Sequence, residues 1–422
     1  MTNDVSHIQK QFYINHMLYP KIPAYNIGSV FKVEGELNTE LLEQAINIVF
    51  VRYDILRSTF KRAGSQITQS VIGIDEFLLQ IEMENVPTNF AKNVGKEVTD
   101  EVNRPFNLAN WPLCRVKLFQ YNNSISVLTF TFHHIIIDLY SKTVFSKEVS
   151  RIYNQLQTEK VDDKSTIRKK YSSYVSAEKK WLSSEESKKS ILFWNSILSD
   201  VNFELNLPTD YSRPTICTKQ GKRYPFSFDE VISSKLQDYA KLNTLKVFTV
   251  LLGAFSILCK ELSKQNSFTI GVPMSNRRTG VNKEMFGPVL NIVPIPLNFS
   301  RYENEVEVLK DIRKNLLFAH RNQELPYTHL LKHLEFEKGF AKNPIFQVGF
   351  TEEPPMSLNL EGVKIKPVDF VRDGAQLDLF LTFWYSENKF HAYLEYSVDL
   401  FEESTILDWI NKYKSIVNKV IT

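Results

Sequence analysis

Apolar positions recur along the chain with two alternating periods. Between residues 39 and 51, Leu41, Leu42, Ala45, Ile46 and Val49 fall on one face at helical spacing, which predicts an amphipathic helix. Residues 125–132 (Ile-Ser-Val-Leu-Thr-Phe-Thr-Phe) are rich in β-branched and aromatic types and predict a strand. Helical spacing returns at Val144, Phe145, Val149, Ile152, Tyr153 and Leu156, so 133–141 is a strand-to-helix transition. The second half repeats the mixture, with helices at 248–262 and 306–322 and strands at 267–272, 289–297, 345–350, 377–385 and 390–396. No short-period repeat is present, which argues against a solenoid. The pattern predicts a mixed α/β (α+β) chain. A polar stretch at 156–189 interrupts it and predicts a boundary near residue 175, giving lobes 1–175 and 176–422.

Composition narrows the function classes. The chain has 422 residues, 43% of them apolar, which suffices for two or three core-bearing units. The 51 basic and 48 acidic residues leave a charge of +3, without the concentrated basic surface of a nucleic-acid binder. The run Arg168-Lys169-Lys170 and the pair Lys179-Lys180 read as solvated helix faces, with Glu178 close by. Three cysteines, Cys114, Cys217 and Cys259, lack C-x-x-C spacing, so no zinc site or redox pair is expected, and a cytoplasmic setting fits. Residues 1–11 are polar and unlike a signal peptide, and the apolar stretch 248–262 is too short for a membrane span. It predicts a buried helix and no membrane association.

The transition segment carries the candidate chemistry: His133-His134-Ile135-Ile136-Ile137-Asp138. As a metal site it lacks a third ligand at plausible spacing, and three isoleucines make a dry setting. A serine hydrolase would carry its nucleophile on a G-x-S-x-G turn, which does not occur. Two readings stay open on these residues alone. One is a histidine pair satisfied structurally at a strand end. The other is a general base, since an imidazole with a fixed tautomer and near-neutral pKa can take a proton from an attacking amine or alcohol.

The ordered motifs around the segment resemble the condensation domains of nonribosomal peptide synthetases, in the chloramphenicol-acetyltransferase-like superfamily. Phe132 to Ser141 resembles M-H-H-x-x-x-D-G-W-S. Upstream, Ser6-His7-Ile8-Gln9 with Phe12, Ala24-Tyr25-Asn26-Ile27, Arg52 to Phe60, and Arg104-Pro105-Phe106 with Pro112, Leu113 and Arg115 follow the family's order. Downstream come Leu207-Pro208-Thr209-Asp210 with Arg213-Pro214, Gly271-Val272-Pro273 with Arg277, and Phe286 to Asn291. Asn322 to Tyr327 and Asn343 to Gln347 complete the series.

The resemblance implies two acetyltransferase-like lobes in a V-shaped pseudo-dimer with a channel between them. Segments of the second lobe would cross back to the first at about 271–297 and 376–386. It implies amide formation: an amine, free or on a second carrier protein, attacks an acyl thioester on the phosphopantetheine of an acyl- or peptidyl-carrier protein. The protein itself would bind no cofactor or metal and act as a free-standing monomer. By the same resemblance, His134 positions or deprotonates the amine, and His133 supports the loop. Asp138 is structural, with Arg57 expected as its salt-bridge partner. Leu139, Arg277 and Asn291 are candidates for the channel.

Some positions depart from the pattern. Leu139 stands where the family has glycine, which would permit unusual dihedrals or close backbone approach. Tyr53 replaces a histidine, and Ser173 replaces an aspartate. Leu139 motivates two alternatives, a degenerate module that docks carrier proteins and an enzyme with altered acceptor geometry; an ester-forming enzyme is a third.

Overall fold

Strand Ile125–His133 is buried on successive residues because both of its faces are covered. Leu128, Phe130 and Phe132 point into a large core that also holds Ile46, Val49, Phe145 and Val149. Val127 points the other way, into a smaller cluster with Val30, Val98, Val102 and Phe119. The alternation is the two-residue period of a strand. The computed structural model of the protein describes residues 2–87, 95–122, 124–158, 168–278, 280–336 and 342–422. Part of the polar stretch expected at 156–189, residues 159–167, lies outside the described residues.

The chain divides into two compact units. The first comprises Met1–Leu182, Arg277–Leu290 and Pro355–Arg372. Its five-stranded sheet runs in the order Lys364–Pro367, Asn26–Glu34, Ile125–His133, Cys114–Asn122, Glu82–Asn85. Neighbours are antiparallel except the last pair. Helices Thr39–Arg52 and Leu139–Thr158 pack together and supply the apolar residues that cover one face. Strands Thr2–Asp4, Gln66–Val71 and Ser58–Ala63 form a separate small sheet.

The second unit comprises Ser183–Asn276, Asn291–Pro354 and Asp373–Thr422. Its sheet has the order Asn291–Asn298, Ser267–Met274, Val348–Glu352, Leu379–Ser386, Lys389–Ser397, Gly221–Ser227. Helix Val247–Ser263 is buried along most of its length, and its neighbours include helices Glu305–Arg321 and Glu403–Val420. Gly253 permits the close approach of one neighbour, since a Cβ there would meet Leu309 Cδ2 at 2.2 Å. Trp194 is buried and donates its indole N–H to the Asn322 carbonyl at 3.1 Å, consistent with an anchoring role. Among the described residues no single helix is long and apolar enough to cross a membrane.

The segments that join the first unit differ from those expected. Within 271–297, only Arg277–Leu290 does so, because Ser267–Met274 and Asn291–Asn298 pair with each other in the second unit's sheet. The late segment is Pro355–Arg372, not 376–386. Strand Leu379–Ser386 has hydrogen-bonded neighbours on both edges, so it stays inside its own sheet.

Candidate active site

The segment 133–138 leaves the central strand of the first unit and turns into helix Leu139–Thr158. Asp138 ends the turn as a helix cap. Its carbonyl accepts from Lys142 N at 2.8 Å, and its Oδ1 accepts from Ser141 N at 3.0 Å and from the Ser141 hydroxyl at 2.8 Å. Arg277 donates to both carboxylate oxygens, at 2.7 and 3.0 Å, and Val289 N donates to Oδ2 at 3.1 Å. The two side chains of this ion pair are only 5% and 3% exposed. Burial pushes the Asp138 carboxyl up, but the charge and hydrogen bonds of Arg277, with those of Ser141 and Val289, outweigh it and hold the pKa below its ordinary value.

This pairing corrects the expected one. Arg57 donates instead to the carbonyls of Phe50 and Ile72, which places it on the hairpin side of its own turn. The reach to Asp138 comes from residues 277–290. Arg277, expected along a channel, spends its guanidinium on Asp138 and on the carbonyls of Met285 and Gly287, at 3.1 and 2.9 Å. It also lies over the Tyr140 ring at 4.3 Å. Gly287 N donates to Ser141 Oγ at 2.9 Å. Gly287 needs to be glycine: its φ is +120°, and a Cβ would meet the Tyr171 ring at 2.6 Å.

His133 is buried, and its Nδ1 accepts the Ile135 N–H at 3.1 Å. A backbone amide can only donate, so the neutral ring carries its proton on Nε2. Burial, with His16 and His134 nearby, holds the His133 pKa well below its ordinary value. His134 is the complement. It is half-buried, and its Nδ1 lies 2.8 Å from the Ile137 carbonyl, which can only accept. Nδ1 therefore carries the proton, and the neutral ring has its lone pair on Nε2. The His134 backbone N–H donates to the Tyr25 carbonyl at 2.8 Å.

Helix His7–Leu18 supports the loop from the side. Ser6 caps it with a reciprocal Ser6–Gln9 capping box. Gln9 then donates its side-chain amide to the Ile135 carbonyl at 3.2 Å. Phe12 stacks on His134 with centroids 4.6 Å apart and planes at 27°. The Tyr171 hydroxyl donates to the Pro288 carbonyl at 2.6 Å, so Ser6 Oγ donates to Tyr171 at 2.9 Å. The roles of Gln9, Phe12, Ser141 and Tyr171 are not legible from composition. The three-residue spacings Ser6–Gln9 and Asp138–Ser141, both capping signatures, were the available signal.

Leu139 is the first residue of its helix, and its φ is not positive. The backbone there does not require glycine, so leucine stands at this position without dihedral strain. Asn291 lies in the second unit. Its amide donates to the carbonyls of Gln323 and Leu325 at 3.0 and 2.7 Å and accepts from Tyr327 N at 3.0 Å, so it clamps a turn. Tyr53 stacks on Phe286 at 4.1 Å, and Ser173 is exposed.

A family model described as "Condensation domain" matches residues 2–422. The chain belongs to the condensation-domain family. Among curated relatives, this condensation domain is 26% identical over 418 residues to bacitracin synthase 1 of Bacillus licheniformis. The match covers 98% of the chain but only 8% of that protein, so the chain spans a small fraction of the length of such relatives. Two solved structures share the fold. The X-domain from teicoplanin biosynthesis matches with a TM-score of 0.85 at 18% identity, over 99% of this chain and 94% of that one. The first condensation domain of the CDA synthetase matches with a TM-score of 0.84 at 14% identity, over 100% and 96%. The condensation domain thus has the chloramphenicol-acetyltransferase-like fold that the motifs implied.

Proposed function

We propose that this condensation domain forms an amide by transferring an acyl or aminoacyl group from a carrier-protein thioester to an amine. The amine nitrogen attacks the thioester carbonyl carbon. A C–N bond forms, the C–S bond breaks, and the phosphopantetheine thiolate leaves. The proton lost by the amine passes to Nε2 of His134 and then to the departing sulfur. The observation that carries this reading is the bond between His134 Nδ1 and the Ile137 carbonyl. It puts the lone pair of a half-buried imidazole on Nε2, the state a general base requires. Asp138, Arg277 and His133 hold the loop without exchanging protons with substrate. The acceptor is either a free amine or one borne on a second carrier protein.

The test is direct. A donor carrier protein loaded with acyl or aminoacyl groups is mixed with a panel of free and carrier-bound amines, and products are read by mass spectrometry. Amide should form with the wild type and fall at least about 100-fold in His134→Ala. Equal turnover in the two proteins would sink the assignment of His134. One observation favours a second reading, a module that docks a partner without catalysis: the fold is as similar to the X-domain, also solved in complex with OxyB. A wild type inert toward every donor and amine would favour it.

A further inference from the structure

Three residues of helix His7–Leu18 reach the histidine loop. Gln9, Phe12 and His16 are spaced i, i+3 and i+7, which puts them on one face. Each meets a different residue of the loop. Gln9 holds the Ile135 carbonyl, Phe12 lies under the His134 ring, and His16 meets the His133 ring edge to face at 5.5 Å and 86°. Resting on the reading of His134 as the base, we infer that His16 is a positioning residue for it, acting through His133.

The argument starts from what His133 must do. Its Nδ1 is the acceptor for the Ile135 N–H. If the ring turns, that buried amide loses its partner, and the loop must shift to recover one. Three rings hold the imidazole in place: His16, Phe106 at 6.1 Å and 90°, and Tyr25 at 6.5 Å. Phe106 is itself backed by the Arg115 guanidinium at 3.9 Å. Tyr25 is held through its carbonyl by His134 N. His16 is the remaining wall, and the helix carrying it is fixed at its start by the Ser6–Tyr171 and His7–Glu178 bonds. The next peptides of the loop lead to the Ile137 carbonyl that sets the His134 tautomer. A side chain at position 16 therefore acts on the base through one packed ring and one short turn. Burial lowers the pKa of His16, which suits a ring used for packing rather than charge.

The experiment pairs kinetics with nuclear magnetic resonance on selectively ¹⁵N-histidine-labelled protein. In the wild type His134 should show one neutral tautomer, protonated on Nδ1, and His133 the opposite one. His16→Ala should mix both tautomers and lower kcat by about 10- to 100-fold, with KM for the donor carrier changed less than about twofold. His16→Phe keeps a ring against His133 and should restore the single tautomers and most of kcat. Unchanged tautomers and kcat in His16→Ala would overturn the inference, as would a His16→Phe protein as impaired as the alanine variant. The tautomer signal needs no turnover. A His134→Ala enzyme that stays active would defeat the catalytic reading while leaving the effect of position 16 on the loop measurable.

Discussion

Arg277 grips Asp138 with two hydrogen bonds across 139 residues of chain, and both side chains are buried. The same guanidinium also holds the carbonyls of Met285 and Gly287. The pair therefore ties the start of helix Leu139–Thr158 to the 277–290 strap. Removing one partner leaves the other charged and buried. Asp138→Ala and Arg277→Ala should each cost about 3–5 kcal/mol. Replacing both by apolar residues should cost less than the sum, with a coupling of about 1–3 kcal/mol. Urea unfolding of the four proteins measures all of these values. Arg277→Lys should fall between, because an ammonium cannot reproduce the two-pronged contact.

Acid should weaken the fold in two stages. His133 and His16 have folded pKa values below that of the unfolded side chain. The unfolded state therefore binds more protons, and stability is full above about pH 6.5 and declines below it. The buried His133 contributes up to about 1.4 kcal/mol per pH unit until its folded pKa is reached, and the more exposed His16 contributes less because solvent screens it. Asp138, depressed from its ordinary value, adds a second loss below about pH 4, as its carboxylate is finally protonated. Unfolding midpoints of the wild type and of His133→Gln between pH 7.5 and 5 should diverge, the variant sloping less.

Gly287→Ala should be among the most damaging small substitutions in the strap. A methyl group there meets Tyr171 and sits on a backbone at φ +120°. The expected loss is about 1–3 kcal/mol, seen as a lowered melting temperature. Adding Tyr171→Phe keeps the obstructing ring and should not help. Adding Tyr171→Leu instead removes the ring and should recover the steric part of the loss, leaving the backbone part.

Leu139→Gly tests whether the leucine disables the loop. Because Leu139 opens its helix, glycine should cost less than the about 1 kcal/mol it costs in a helix interior. Turnover of small amines should be unchanged, while bulkier amines should gain. An inert wild type made active by Leu139→Gly would instead mark the leucine as an inactivating change. Comparing kcat/KM over the amine panel separates these outcomes.

Much of the fold was legible because its signal is periodic. The strand at 125–132 and the helices at 39–51, 248–262 and 306–322 fall within two residues of the observed elements. The motif series was equally legible, because order along a chain can be read without geometry. Partner choice was not. Arg57 and Arg277 are both arginines in family motifs, and nothing local distinguishes which one reaches Asp138. That depends on residues 277–290 folding onto the first unit, a tertiary fact. The same holds for the late segment. Lys364–Pro367 is short and polar, so it gives little strand signal, yet it pairs along Asn26–Glu34. Leu379–Ser386 has the stronger strand signal and belongs to the other sheet.

The discontinuity of the first unit has a consequence for how it is made on the ribosome. Asp138 emerges long before Arg277, and the sheet beside Asn26–Glu34 stays open until residues 364–367 are synthesised. During that interval the nascent unit holds an unneutralised carboxylate and an unpaired strand edge, both of which favour non-native association. A polypeptide ending at Leu182 would carry every residue of the histidine loop and still lack what closes it. The loop's final form is thus a late event in biosynthesis, set by sequence well beyond the motif that names it.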